Sequence, residues 1–368
     1  MRFGFFAMPE HFPWENWTLA FDRDIARMVK AEQLGFEEFW IGEHHSGGYD
    51  PVPAPELMIA KASALTSRIQ LGTGVINLPY HDPFLVAERL AFLDHLTHGR
   101  LIYGVGGGGL PSDRALFGLP AEEARPRMLE AMDVIVRVLA AREPISHQGE
   151  FWQFENRRLQ VPPYQSEPKL AIAGLTGTHN FTTCGEKAYA ALSVYFTPAQ
   201  IEDNPGIPDL IAHGHALADG AISAGLDPDQ ARADWRVSRE VYVANSKAEA
   251  LQEIRAGVHA SYDYLRRLGL GALMKRDATT ADADLTFEWM VENIPWIVGS
   301  PEECIDQIGQ LHESVGGFGT LLINCRDWVA EDRFHRSMEL FARRVMPAFR
   351  DREHQALRRE LARDALGE

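Results

Sequence analysis

A closed (β/α)8 barrel of the TIM type is the fold class this sequence predicts, and three observations predict it. Eight short apolar runs are each followed by a segment of helical period. No long polar linker divides them, and 368 residues leave room for insertions beyond the roughly 250 that a bare barrel needs. An open, doubly wound sheet is the structural alternative.

The first strand is "RFGFFAM". Phe21, Ile25, Met28 and Val29 then recur at i, i+4, i+7 and i+8, the spacing of one helix face, and Gly35 ends that helix. "EEFWIGEHH" is the second strand, followed by a proline-rich loop and the helix "ELMIAKASALTS". "IQLGTGVIN" is the third, and in the helix that follows Asp82 supplies the N-cap and Pro83 the first-turn proline. "RLIYGVG" is the fourth, ahead of a helix whose Met132, Ile135, Val136 and Leu139 share a face. "PKLAIAG" is the fifth and opens onto a Thr- and Gly-rich turn before "FTTCGEKA". "YAALSVYF" and "WRVSREVYVAN" are the sixth and seventh, each leading into a helix, and "GTLLIN" is the eighth, before "DRFHRSMELFARRVMPAF". Insertions are expected before strand five, in "HQGEFWQFENRRLQVPPYQSE", and before strand eight, with residues 269–300 as a candidate lid. Residues 1–350 read as one barrel domain and 351–368 as a solvated, charged helix or tail.

Composition excludes several classes of function. With 52 acidic against 36 basic residues the net charge is −16, which opposes binding to nucleic acid or to anionic lipid. No apolar run is long enough to span a bilayer. Cys184, Cys304 and Cys325 are widely spaced and form neither a zinc knuckle nor a redox pair. The N-terminal stretch lacks the pattern of a signal peptide, so the expectation is a cytoplasmic protein that acts on a small molecule.

Three constellations carry chemistry. "EHH", residues 43–45, stands at the rim where a barrel builds its active site, although a surface loop would also accommodate it. Imidazoles of His44, His45, His81 and His98 suggest zinc, but neighbours on an extended chain point in opposite directions, so no metal site is expected. In "YGVGGGGLPSD", Gly104, Gly106 and Gly109 satisfy a G-x-G-x-x-G spacing. Pro111 interrupts the helix a dinucleotide fold would need, and the better reading is a flat ring lying close to side-chain-free backbone. In "AIAGLTGTHNFTT", backbone amides and hydroxyls at a helix start make a phosphate cradle without a Walker lysine; simple N-capping by Thr176 or Thr178 is the other reading.

Together these motifs resemble the bacterial luciferase-like flavin monooxygenases over nearly the whole chain, from "MRFGFF" through "GFEEFWIGEHH" and "VGSPEECIDQI" to "RRVMPAF". "EHHSGGY", "GTGVINLPYHDP", "LDHLTHGR" and "GGFGT" are most similar to the limonene monooxygenase branch. The resemblance implies a barrel that takes reduced FMN from a separate flavin reductase and activates O2 at flavin C4a, as a C4a-peroxyflavin. It implies oxygenation of an apolar small molecule by hydroxylation, epoxidation or Baeyer–Villiger insertion, in a homodimer or higher homo-oligomer. By position it implies His44 at the reacting edge of the flavin with Glu43 beside it, a cis Gly74–Val75 peptide under the ring, and Gly106 and Gly107 along it. Gly174, Leu175, Thr176 and Thr178 would hold the phosphate, with Ala7, Asn77, Ala173 and Ser193 completing the cofactor set.

Gly106 and Gly107 stand where luciferase has a cysteine and an arginine, so the phosphate charge must be met elsewhere, and light emission is not expected. The substrate pocket is expected among Phe6, Met8, Asn77, Tyr80, His81, Trp289, Trp296, Asn324 and Trp328, which lie at strand ends or near the second insertion. A deazaflavin-dependent hydride-transfer enzyme, a flavin-binding protein without catalysis and, more distantly, a metallohydrolase are the other readings.

Overall fold

The computed structural model describes residues 1–8, 10–46, 48, 51–174, 177–194, 209–267, 275 and 280–350. The chain runs β1 (Arg2–Ala7), α1 (Trp17–Gln33), β2 (Glu38–Ile41), α2 (Pro55–Ser63), β3 (Gln70–Thr73), β4 (Ile76–Asn77) and α3 (Pro83–Leu96). It continues through β5 (Leu101–Gly106), α4 (Pro111–Leu116), α5 (Ala121–Ala140), β6 (Ile145–Gln148), β7 (Gln153–Arg157), β8 (Lys169–Gly174), α6 (His179–Lys187) and β9 (Ala190–Ser193). The remainder is α7 (Leu210–Ser223), α8 (Pro228–Ala233), β10 (Trp235–Arg239), β11 (Val241–Val243), α9 (Lys247–Arg267), α10 (Phe287–Asn293), β12 (Ile297–Gly299), α11 (Pro301–Ser314), β13 (Thr320–Cys325) and α12 (Glu331–Leu340). Strands β1, β2, β3, β5, β8, β9, β10 and β13 pair in parallel in that order, and β13 pairs again with β1. The eight-stranded closed barrel is therefore as the sequence predicts.

Strand alternation sorts the apolar residues into two layers. Phe6, Trp40, Ile102, Ala171, Leu192 and Leu322 form the barrel interior, while Phe3, Phe5, Ala7, Phe39, Ile41, Tyr103 and Val105 pack in the layer beneath the helices. The Trp40 indole fills space that two glycines vacate: a Cβ on Gly72 would lie 2.5 Å from it and one on Gly104 2.8 Å. Below Trp40 the interior is charged. The Glu38 carboxylate, fully buried, accepts from Arg236 at 2.9 and 3.1 Å and from the Trp40 indole at 2.9 Å, so neither charge is left unpaired.

Several boundaries differ from the sequence expectation. The second strand ends at Ile41, so "EHH" lies on the loop beyond its ladder. The third run is divided into β3 and β4 at Gly74–Val75, whose peptide is cis. Pro111 does not interrupt a helix but begins α4, a position where its missing N–H costs nothing. "WRVSREVYVAN" is two strands: β10 stays in the barrel, and β11 leaves it to pair in parallel with β12. The insertion before strand five holds the antiparallel β6–β7 hairpin. Of the candidate lid, residues 269–274 and 276–279 lie outside the described residues, as does the 351–368 segment. What is described there packs as a second apolar cluster, in which Tyr262, Leu265, Phe287, Trp296 and Trp328 meet. No described helix is long and apolar enough to cross a membrane.

Candidate active site

The C-terminal ends of the strands surround a cavity of about 490 Å3, the rim where barrels place their chemistry. Phe6 and Met8 enter it from the end of β1, Glu43 and His44 from the loop after β2, and Gly74, Val75 and Asn77 from the β3–β4 break. The glycine run Gly106–Gly109 follows β5, and Ala173 and Gly174 end β8. A Cβ on Gly109 would meet nothing within 4 Å, and one on Gly107 only the Met128 sulfur at 3.6 Å, so side chains there would occupy the cavity itself. The glycines leave a flat, backbone-lined wall.

Asp113 fixes His44. Its Oδ2 accepts from His44 Nδ1 at 2.8 Å, and its Oδ1 accepts from the His45 amide at 3.0 Å and from the Ser46 hydroxyl at 2.5 Å. Burial alone would raise this carboxyl, but the donors outweigh it and hold Asp113 below the usual carboxylate range. A carboxylate on Nδ1 sets the ring's tautomer and direction. Glu43 is the hub of a second network. Its Oε1 accepts from Nε2 of both His45 (2.8 Å) and His81 (2.9 Å), and its Oε2 accepts from the Asn77 amide at 3.1 Å. Here too burial pushes the carboxyl up, and the two imidazoles and the amide pull it below the usual range. His44 and His45 thus point to different partners, as an extended chain requires, while Glu43, His45 and His81 come together.

The start of α6 also reaches the cavity, through His179 and Asn180. Thr178 is its N-cap residue, yet its hydroxyl makes no capping bond, so capping is not its role here. Arg125, on the cavity wall, makes no ion pair among the described residues, and His179 is also on the lining. Arg114 donates to the Gly108 carbonyl at 2.9 Å and pins the glycine loop.

The remaining expected residues lie elsewhere. Tyr80 sits behind Gly108, whose Cβ would meet the phenol oxygen at 2.4 Å, and stacks on Phe117 at 4.6 Å; neither it nor His81 is on the lining. Ala7 and Ser193 turn outward from the barrel, Ala7 into the core beneath the helices and Ser193 onto Trp235 and His213. Trp296 packs edge-on to Trp328 at 5.2 Å in the second cluster, with Trp289 against it, and Asn324 donates to Glu240 at 3.1 Å. Leu175 and Thr176 fall outside the described residues. Sequence reasoning missed Asp113, Arg114 and Arg125, and also Leu110, Met128, Asn180, Val194 and Leu265, all but Asp113 on the lining. The "GGGGLPSD" stretch held the one available signal, a carboxylate two residues after a first-turn proline.

A side-chain-free wall, an imidazole fixed by a carboxylate, and a guanidinium and a helix N-terminus on the same lining suit a planar aromatic molecule that ends in an anion. FMN fits this set, and Arg125 on the lining is a cation available for the phosphate charge that Gly106 and Gly107 cannot meet.

Comparison with known proteins agrees. A family profile described as "Luciferase-like monooxygenase" matches residues 1–316. The chain is 39% identical over 354 residues to 4-hydroxyprotoasukamycin monooxygenase of Streptomyces nodosus subsp. asukaensis, covering 95% of this chain and 92% of that protein. It is 36% identical over 348 residues to limonene 1,2-monooxygenase of Rhodococcus erythropolis, covering 94% and 86%. The oxygenating constituent of 3,6-diketocamphane monooxygenase from Pseudomonas putida, a type II Baeyer–Villiger monooxygenase solved with FMN, superposes with a TM-score of 0.81 at 26% identity, over 94% of this chain and 98% of that one. The barrel, its rim and these matches together make the chain an oxidoreductase of the luciferase-like monooxygenase family.

Proposed function

We propose that the protein is the oxygenase of a two-component system that binds reduced FMN from a separate flavin reductase and uses O2 to oxygenate an apolar small molecule. The observation that carries this reading is that one cavity is lined by a glycine wall, by His44 held by Asp113, and by Arg125. The FMN ring would lie along Gly106, Gly107 and Gly174, and its phosphate would face Arg125, His179 and the start of α6. When bound, the flavin supplies the means of activating O2. His44 holds or delivers a proton at the reacting edge, its ring kept in place by Asp113. Phe6, Met8, Val194 and Leu265 supply the apolar lining that excludes water and receives the substrate.

The names of the two relatives above support an apolar substrate, and hydroxylation, epoxidation and Baeyer–Villiger insertion are all within this chemistry. A homodimer, a cytoplasmic location and a single barrel domain over residues 1–350 belong to the same proposal. The test supplies FMN, NADH and O2 with and without a flavin reductase, and screens apolar alkenes and ketones for product. Product is expected only with the reductase. Rapid NADH oxidation without it would sink the two-component reading, and tighter binding of a reduced deazaflavin than of reduced FMN would favour hydride transfer instead.

A further inference from the structure

Two guanidinium groups line the cavity, Arg114 and Arg125, and the proposed chemistry uses only the second. Arg114, on α4, is half-buried and donates through Nη1 to two consecutive carbonyls of the glycine wall, Gly108 at 2.9 Å and Gly109 at 3.3 Å. Its Nε and Nη2 make no hydrogen bond among the described residues, and it forms no ion pair among them. The carboxylate next to it in the chain, Asp113, is engaged by His44, the His45 amide and Ser46. Glu43, the one carboxylate on the lining among the described residues, is engaged by His45 and His81.

Carbonyl partners fix a guanidinium without neutralising it. Arginine stays protonated in proteins, so a full positive charge is pinned to the same run of glycines that would lie under the flavin ring. A fixed charge there discriminates between the two redox states of a flavin. The oxidised isoalloxazine is neutral. The reduced ring readily loses its N1 proton, and the negative charge is then shared between N1 and the C2 carbonyl oxygen. A cation held beside the ring therefore favours the reduced form, and one that is already positioned does so without rearrangement.

We propose that Arg114 is the counter-charge of the reduced flavin ring, the residue through which this site distinguishes the reduced cofactor from the oxidised one. The inference rests on the reading that the cavity binds a flavin whose ring lies along the glycine wall. The bonds to Gly108 and Gly109 tie Arg114 to that wall, which places it with the ring, while Arg125 and His179 are left for the phosphate. The two cations then answer to different parts of one ligand.

Glutamine and lysine at position 114 separate charge from loop-holding. Arg114→Gln keeps an amide N–H for the loop carbonyls and removes the charge; Arg114→Lys keeps the charge. Oxidised and reduced riboflavin, which lack the phosphate, are titrated into the parent and both variants, with reduced FMN alongside and the reduced flavins handled anaerobically. Arg114→Gln is expected to weaken reduced riboflavin and reduced FMN alike, by about tenfold or more, the worth of one charge-assisted contact, and oxidised riboflavin by less than about threefold. Arg114→Lys is expected to restore most of the preference for the reduced form. Equal losses for oxidised and reduced riboflavin in Arg114→Gln would show that the side chain only holds the loop, and a loss confined to FMN would assign it to the phosphate. Either result would overturn the inference while leaving the flavin reading intact. A parent that binds neither reduced flavin would overturn the proposed function and the inference with it.

Discussion

His44 and Asp113 are 69 positions apart and share a hydrogen bond of 2.8 Å. If the pair manages a proton at the flavin, His44→Ala should bind reduced FMN nearly as well as the parent, because the proposed ring and phosphate contacts come from other segments. Product formation should fall about 10²–10⁴-fold, the range for a lost acid–base group, with hydrogen peroxide appearing in its place. Asp113→Asn should lower product and shift the pH profile of turnover while leaving FMN affinity in place, whereas His45→Ala, whose ring serves Glu43, should do less. Product, peroxide and affinity measured together decide the matter, and a fully coupled His44→Ala would end the catalytic assignment. Arg125→Ala is expected to weaken FMN by about 1.5–3 kcal/mol through a lost charge-assisted contact, with riboflavin indifferent; equal losses would move the phosphate elsewhere. At this scale the strand-end residues were legible, because an apolar run shows where a strand stops. Ala7 and Ser193 show the limit: one step along a strand takes a side chain from the rim to the layer under the helices. Asp113 and Arg125 were illegible because they come from helices that reach back over the rim, and helical spacing does not say which face looks inward.

Among the elements, β3 and β5 meet through Thr73, whose hydroxyl donates to the Gly104 carbonyl at 2.7 Å and accepts from the Gly104 amide at 2.9 Å. A Cβ on Gly104 would lie 1.8 Å from the Thr73 carbonyl oxygen, a clash with backbone that no side-chain rotation relieves. Gly104→Ala should therefore destabilise the fold by about 3 kcal/mol or more, read from chemical denaturation. A loss under about 0.5 kcal/mol would mean the strands can part there at little cost. The glycines of "GVGGGG" thus serve two ends, strand packing at Gly104 and the cavity wall at Gly107 and Gly109. The split between β10 and β11 was not legible, since no glycine or proline marks it. What marks it is tertiary: Glu240, between the two strands, is buried and accepts from Asn324 (3.1 Å) and Arg326 (3.0 Å).

Across the whole molecule, the barrel closes where β1 meets β13, and a buried charged cluster stands beside that seam. His11 lies 2.7 Å from Asp24 on α1 and 3.6 Å from Asp327 after β13, with Arg23 alongside. Burial lowers the His11 pKa, but the two carboxylates outweigh it and raise it to about 9. A histidine whose folded pKa is raised stabilises the fold fully below the unfolded value of about 6.5, and that contribution is lost as the pH rises through 9. Unfolding free energy of the parent should then fall by up to about 3 kcal/mol between pH 6 and 9.5 relative to His11→Gln. Parallel curves for the two proteins would show that His11 is neutral in the fold. The closed barrel was legible because it follows from counting units; this seam was not, because its members are some 300 residues apart.

The segment that runs outside the barrel from β11 to β12 sends Leu265 to the cavity, while the glycine wall, Arg125 and the Asp113–His44 pair all precede it in the chain. On the proposed reading, cofactor grip and part of the substrate wall would be encoded in separable stretches of gene. A chimera carrying the corresponding 241–299 segment of the limonene or protoasukamycin relative should change which compounds are oxidised and leave reduced-FMN affinity at the parental value. Transplanting that one cassette is the natural route to retargeting this scaffold, and a chimera that lost its flavin would show that the two stretches cannot be exchanged independently.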